Sequence, residues 1–402
     1  MKNIAIIIPP KKSGGVFQYS LSIADSLILY PNKFNIYLLS EDSETIEILN
    51  SLYGLNKVKI INISSKPIPL IKKIFHVLSL VLQSELFLAK KFYPELKRYN
   101  LDLFIIPTPI NFPPPKLPYI ASIPDIMHKY YPSLPDYGRK EIFRRNILYK
   151  FHSKKAKIAV VDSIQGMNDL NKFFKIPKEK IAIIPFIPPN YIFKHKNMSK
   201  IEANKILQKY NLPDSFIFYP AQFWYHKNHV RLVKALYLIK QKHNLEIPLV
   251  LAGSNTGNYE KRYNQVMNLA KKLNIQKQII SISHHLGKEI VALYKKSTAM
   301  VYPSILGPTN IPPIEAITLG TPVLCSNLFE MPKQVQGAGI LFNPFNIEDI
   351  AEKIYIVWTN HKLKVDLIKK GREQSKKDII ENYVKQWGKA VAKALVIKNE
   401  IT

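Results

Sequence analysis

The stretch GPTNIPPIEAITLGTPV, residues 307–323, carries the residue types of an anion site. Gly307 and Pro308 make a rigid turn, Asn310 is a good N-cap, Pro312 and Pro313 suit a first helical turn, and Gly320 ends the helix. Such a helix points its positive end and the backbone amides around Ile311 to Ile314 at a phosphate or diphosphate. Glu315, expected about one turn in, can accept two hydroxyl hydrogen bonds, as a ribose would offer. A carboxylate placed there can equally do no more than complement the helix dipole. The segment FYPAQFWYHKNHV, residues 218–230, adds a cation. Lys227 falls in a strand-to-helix turn, where an ammonium can pair with a diphosphate as a compact point charge. The alternative is a solvated lysine in a lysine-rich chain.

Three weaker groups accompany these. Gly14 and Gly15, in KKSGGVFQY, allow close approach of backbone to a phosphate or sugar, although the spacing is not that of a dinucleotide fingerprint. Asp125 and His128, in IPDIMHKYYP, are expected at one rim, either holding a sugar hydroxyl and orienting an acceptor or forming a hydrogen-bonded turn. His226 and His229 are three apart but have no third ligand near them in sequence, so a metal site is not expected. No Asp-x-Asp occurs in the chain. Lys227 and helix amides, with no metal and no other cofactor, are therefore expected to neutralise a diphosphate.

The elements that must position these groups follow from the pattern. Short β-branched runs such as IAIII, FNIYLLS, KIAVVDS, IPLVLAGS and AMVYPS alternate with longer segments of helical period. Fully apolar strands alternating with helices indicate parallel sheets covered on both faces. The fold class is α/β, two doubly wound Rossmann-like domains facing an interdomain cleft, with ligands at the carboxyl ends of the strands. The Pro-rich segment PFIPPNYIFKHKN, residues 185–197, places the division: an N-terminal domain over 1–188 and a C-terminal domain over 189–402, with the last helix, about 379–400, packing back on the first.

Length and composition agree with two full-sized cores: 402 residues, 47% of them hydrophobic. The single cysteine, Cys325, lies in an apolar run and reads as a buried thiol of a reducing compartment. MKNIAIIIPP reads as a first buried strand, not as a secretory signal. The formal net charge of +29 leaves two readings, simple solvation or an anionic membrane surface. Only seven of the 58 basic residues are arginine, which argues against nucleic-acid base readout. Residues 66–98 place lysines around an apolar middle that is too interrupted and too short to span a bilayer. A peripheral site on the inner face of the cytoplasmic membrane is the expectation drawn from them.

AGS at 252–254, HHLGKEIVALYKKSTAMVYPS, GPTNIPPIEAITLGTPVLCSN and GAGILFNPFNIEDIAEKI, in that order and spacing, resemble the C-terminal half of retaining glycosyltransferases of family 4, with the GT-B fold. SGGVFQYS, IPDIMHKYYP and KIAVVDSIQGMNDL resemble the N-terminal half more loosely. The resemblance implies a nucleotide-sugar-binding C-terminal domain and an acceptor-binding N-terminal one. It also implies a hexosyltransferase using a UDP- or GDP-linked sugar with retention, the leaving diphosphate assisting acceptor deprotonation. A saccharide or lipid-linked acceptor, cell-surface polysaccharide or lipopolysaccharide synthesis and a cytoplasmic location go with it. Carried over by position, the second glutamate of the family's Glu-x7-Glu motif is Glu315, the ribose ligand, and the first falls on Gly307. The basic pair of the diphosphate loop becomes Lys227 with Gln222, and Gly14, Gly15, Asn310 and Ile311 complete the donor set. Lys227, Asp125 and His128 are the catalytic candidates. The missing glutamate at 307 keeps open a sugar-binding or scaffold protein that lost turnover.

Overall fold

The computed structural model describes residues 1–31, 34–54, 58–63, 94–109, 117–283, 287–375 and 378–396. Two compact units divide the chain: Met1–Pro132, Tyr137–Ile187 and Asp378–Thr402 form the first, Ser133–Asp136 and Pro188–Lys377 the second. The division thus falls between Ile187 and Pro188, and four residues that precede it, Ser133–Asp136, belong to the second unit.

Among the described residues the first unit is built on seven parallel strands: β1 Lys2–Ile7, β2 Phe34–Ser40, β3 Val58–Asn62, β4 Leu103–Ile106, β5 Tyr119–Ser122, β6 Ile158–Val161 and β7 Ile181–Ile183, in the order β3-β2-β1-β4-β5-β6-β7. The second has six, also parallel: β8 Ile217–Pro220, β9 Leu249–Ala252, β10 Ile279–Ile282, β11 Ala299–Tyr302, β12 Val323–Ser326 and β13 Gly339–Phe342, ordered β10-β9-β8-β11-β12-β13. The order reverses beside β1 in one sheet and beside β8 in the other, the switch point where doubly wound sheets bind ligands. β4, β5, β6, β9, β11 and β12 are buried at every position, because helices cover both faces. Cys325, in β12, is fully buried, and burial pushes its thiol up to about 12.

Several helices among the described residues begin on a side-chain cap. Asp42, Ser163, Ser199 and Asn346 each accept a backbone N–H of the first turn. The helix Ile379–Val396 belongs to the first unit, where it buries Tyr383, Trp387 and Val391 in the core. Gly388 is required there: a Cβ would come 2.0 Å from the Tyr30 ring. Residues 64–93, most of the segment read above as a membrane-seeking stretch, lie outside the described residues. Among the described residues no helix is long and apolar enough to cross a membrane.

Candidate functional site

In the second unit, the turns leaving β8 and β11 meet. The turn after β8 closes with a 3-10 turn, Tyr225–Lys227, before the helix His229–His243. Asn228 adopts φ 61°, a left-handed conformation that asparagine tolerates, and is buried. Its amide donates to the carbonyls of Pro303 and Pro344 at 3.1 and 2.8 Å, so one side chain ties the ends of β11 and β13 to the turn. The Ile305 N–H donates to the His226 carbonyl at 2.9 Å and closes the junction.

Lys227 is delivered by this turn to the start of the helix Ile311–Leu319. Its Nζ donates to Tyr302 Oη at 2.6 Å and to Asn310 Oδ1 at 3.4 Å, and Tyr302 Oη donates to Asn310 Oδ1 at 3.0 Å. Burial keeps the Tyr302 phenol neutral. Lys227 is therefore half-buried and engaged, unlike a solvated surface lysine. Asn310 occupies the N-cap position, yet its side chain makes no capping bond. Its backbone is held instead by Gln334, whose amide takes the Asn310 N–H at 3.1 Å and donates to the Asn310 carbonyl at 2.7 Å.

Two expectations about this helix need correction. Glu315 is its fifth residue, and no acid lies in the first turn, so it is not placed to complement the dipole. Of the first three helical residues only Ile311 carries an N–H, because Pro312 and Pro313 have none. The helix end thus offers its dipole and one amide where a run of amides around Ile311 to Ile314 was expected.

Glu315 is buried, 4% exposed. Its Oε1 accepts from Tyr191 at 2.7 Å and its Oε2 from Tyr294 at 2.6 Å. Burial pushes the carboxyl up, and the two phenols pull it part of the way back. Gly307 has φ 98°, and a Cβ added to it would come 2.9 Å from Asn310 Nδ2 and 3.0 Å from its Oδ1. The Asn310 amide thus fills the space into which a side chain at 307 would project.

Gln222 is engaged by the neighbouring turn. Its Oε1 accepts the Ser254 N–H at 2.7 Å, and at the neighbouring Gly253 a Cβ would come 2.3 Å from the Ala221 carbonyl oxygen. Gln222 staples the turns after β8 and β9, a reason for the AGS sequence at that point. Asp136, one of the four residues from earlier in the chain, accepts the N–H groups of Tyr225 and His226 at 3.0 and 2.8 Å and lies 3.0 Å from His226 Nδ1. Burial alone would raise the Asp136 carboxyl, but the His226 hydrogen bond and charge and the backbone donors outweigh it and hold it low. His229 is stacked on Phe223, ring centroids 4.5 Å apart, and burial pushes its imidazole down to about 3. His226 is thus turned to Asp136 and His229 to Phe223, and among the described residues no group of three metal-ligating side chains occurs.

In the first unit, Gly14 adopts φ 59° and ends the turn after β1, while a Cβ on Gly15 would meet nothing within 4 Å. The turn needs Gly14, and Gly15 keeps its surroundings open. Asp125, half-buried, accepts the Met127 N–H at 3.1 Å in a tight turn. His128 is not at the rim beside it. It is 1% exposed, hydrogen-bonded through Nε2 to Asn146 Oδ1 at 3.0 Å and edge-on to Tyr149, and burial pushes its imidazole down. The apolar neighbours Ile126 and Met127 draw the turn inward and take His128 with them. Beside it Tyr130 and Gln165 both donate to Asp169, at 2.6 and 2.7 Å, a group no local pattern in the sequence singled out.

Residues 202–374 match the model of the family Glycosyl transferases group 1. Over 143 residues, 35% of this chain and 17% of the relative, the chain is 29% identical to the serotype-specific mannosyltransferase WbdA of Escherichia coli. It is 25% identical to the O-antigen chain mannosyltransferase B of Escherichia coli over 50% of this chain and 51% of that protein. It is also 25% identical to the O-antigen chain mannosyltransferase RfbU of Salmonella typhimurium over 56% of each. The chain thus spans from a sixth to about half of the length of these relatives. Solved structures match throughout: a glycosyltransferase from Rickettsia africae (TM-score 0.68, 20% identity, 99% of both chains). Anabaena HepE in complex with UDP and glucose gives TM-score 0.73 at 12% identity, with 98% of this chain and 100% of that one covered. WaaG, a glycosyltransferase involved in lipopolysaccharide biosynthesis, gives 0.70 at 15%, over 96% and 99%. At such identities the likeness is one of fold, two Rossmann-like domains.

Proposed function

We propose that this chain transfers a hexose from a UDP- or GDP-linked donor to a saccharide or lipid-linked acceptor. The observation that carries the reading is the Lys227–Tyr302–Asn310 group at the start of a nine-residue helix, within the segment matched to the glycosyltransferase family. An ammonium hydrogen-bonded to a phenol and an amide at a helix N-terminus suits the diphosphate of a nucleotide sugar. In the reaction the bond from the anomeric carbon to the diphosphate breaks and an acceptor oxygen takes the sugar. The acceptor proton leaves on the diphosphate, whose new charge Lys227 and the Ile311 N–H stabilise. Retention and independence of metal are part of the proposal, the latter resting on Lys227 and on the lack of an Asp-x-Asp sequence. Asp125 is the residue we assign to an acceptor hydroxyl, and His128 braces the turn that carries it.

The named relatives favour a mannose donor and a place in surface-polysaccharide or lipopolysaccharide synthesis. The basic helix Arg139–Lys155, on which Phe143 is 60% exposed, supports a dock on an anionic membrane surface. Incubating the protein with GDP- and UDP-linked hexoses tests the reading. A thermal shift and slow donor hydrolysis for one of them are expected, and hydrolysis should survive a chelator. Binding without any turnover, with or without candidate acceptors, would favour the scaffold reading that Gly307 motivates. Binding of no nucleotide sugar would overturn both.

A further inference from the structure

The carboxylate of Glu315 is held by two phenols that come from separate helices. Tyr191 belongs to Asn190–His195 and Tyr294 to Gly287–Lys296. Each donates to a different oxygen, at 2.7 Å to Oε1 and 2.6 Å to Oε2. A carboxylate oxygen accepts about two hydrogen bonds, so one acceptor position remains on each. Vicinal hydroxyls require just such a pair of adjacent acceptors. Tyr191 is itself locked from behind: at Gly287 a Cβ would come 3.0 Å from the Tyr191 Cβ and Cγ, so the bare backbone is what lets the ring lie there. Burial and the Glu315 charge hold both phenols well above their ordinary value, which leaves them donors and rules them out as bases. Lone burial would favour a protonated Glu315, in which one oxygen becomes a donor and the paired acceptors are lost.

We propose that Tyr191 and Tyr294 are positioning residues for the donor's ribose, fixing the rotation of the Glu315 carboxylate so that its remaining acceptor positions face the vicinal hydroxyls. The proposal rests on the reading of Glu315 as the ribose ligand. Neither tyrosine touches the nucleotide, and both act through the carboxylate. A merely structural role for the two phenols would lower affinity for all nucleotides alike, whereas positioning lowers it only for those that carry the diol.

The test is calorimetric titration with UDP, GDP and their 2′,3′-dideoxy counterparts on the wild type, Glu315→Gln, Tyr191→Phe and Tyr294→Phe, with circular dichroism to check folding. The wild type should prefer the ribose form of its nucleotide by about ten-fold or more. Tyr191→Phe should weaken the ribose form about five-fold and leave the dideoxy form unchanged; Tyr294→Phe should do the same where it folds. Glu315→Gln should abolish the preference, and Tyr191→Phe added to it should then have no further effect. Equal losses for ribose and dideoxy forms, or no loss in Tyr191→Phe, would overturn the positioning role while leaving the ribose reading standing. A preference that survives Glu315→Gln would overturn the ribose reading and the proposal with it, as would failure of every nucleotide to bind.

Discussion

Asn346 and Asn310 hold the same position in two helices of one unit, and they do different things there. Asn346 accepts the Asp349 N–H at 3.1 Å and caps its helix in the ordinary way. Asn310 leaves its helix uncapped and turns its carbonyl to Lys227 and Tyr302. Pro312 and Pro313 make the diversion cheap, since proline at those positions has no N–H for a cap to satisfy. The lesson is a physical one. The Asn346 side chain is spent on its own helix's amides, whereas the Asn310 side chain is left to hold a lysine and a phenol beside its helix start.

The comparison is broken most severely through Gly307. Its φ is 98°, and the Asn310 amide lies in the space a side chain at 307 would occupy. Gly307→Glu, which places a carboxylate at this turn, should cost about 1–3 kcal/mol of stability, read from chemical denaturation, because a side chain is strained at that φ. It should also bind the nucleotide sugar less well. Tighter binding at unchanged stability would show that glycine is not required there.

Asn310→Asp asks for a smaller effect. It sets a carboxylate where the amide lies 3.4 Å from the Lys227 ammonium, neutralising the cation and repelling phosphate. Nucleoside diphosphate affinity should fall about ten-fold, about 1.4 kcal/mol, by calorimetry. Asn346→Asp should leave binding unchanged, since aspartate caps as well as asparagine.

Alanine at the two positions should separate the roles at the smallest scale. Asn346→Ala is expected to cost about 1 kcal/mol of stability and nothing in binding. Asn310→Ala, with no capping bond to lose, should cost less stability and some binding. Equal stability losses in urea titrations would mean that Asn310 caps its helix in solution after all.

Much of this was within reach of the sequence. Buried parallel strands announce themselves as apolar runs, and the strand-end rule brings Lys227 and Asn310 to one place from 83 residues apart. What local pattern does not carry is a side chain's choice among partners. Asn310 reads as a cap by type, and nothing near it in sequence says that Gln334 frees it by holding its backbone. Glu315 reads as one turn into its helix, while its tyrosine at 191 is 124 residues away in a helix of six residues with no period to betray it. Asp136 is hidden for the same reason, its partners 89 and 90 residues on. His128 was expected at the rim from its place after a strand, but the packing of Ile126 and Met127 decides its depth, and packing is a property of the fold.

The measurement closest to the central claim, that the start of the helix Ile311–Leu319 is a diphosphate site completed by Lys227, is a pair of titrations on Lys227→Ala. One uses the nucleoside diphosphate that the wild type binds, the other the matching nucleoside. The account predicts that the diphosphate loses most of its advantage over the nucleoside, while the nucleoside binds as it does to the wild type. An unchanged advantage for the diphosphate, or equal losses for both ligands, would contradict it.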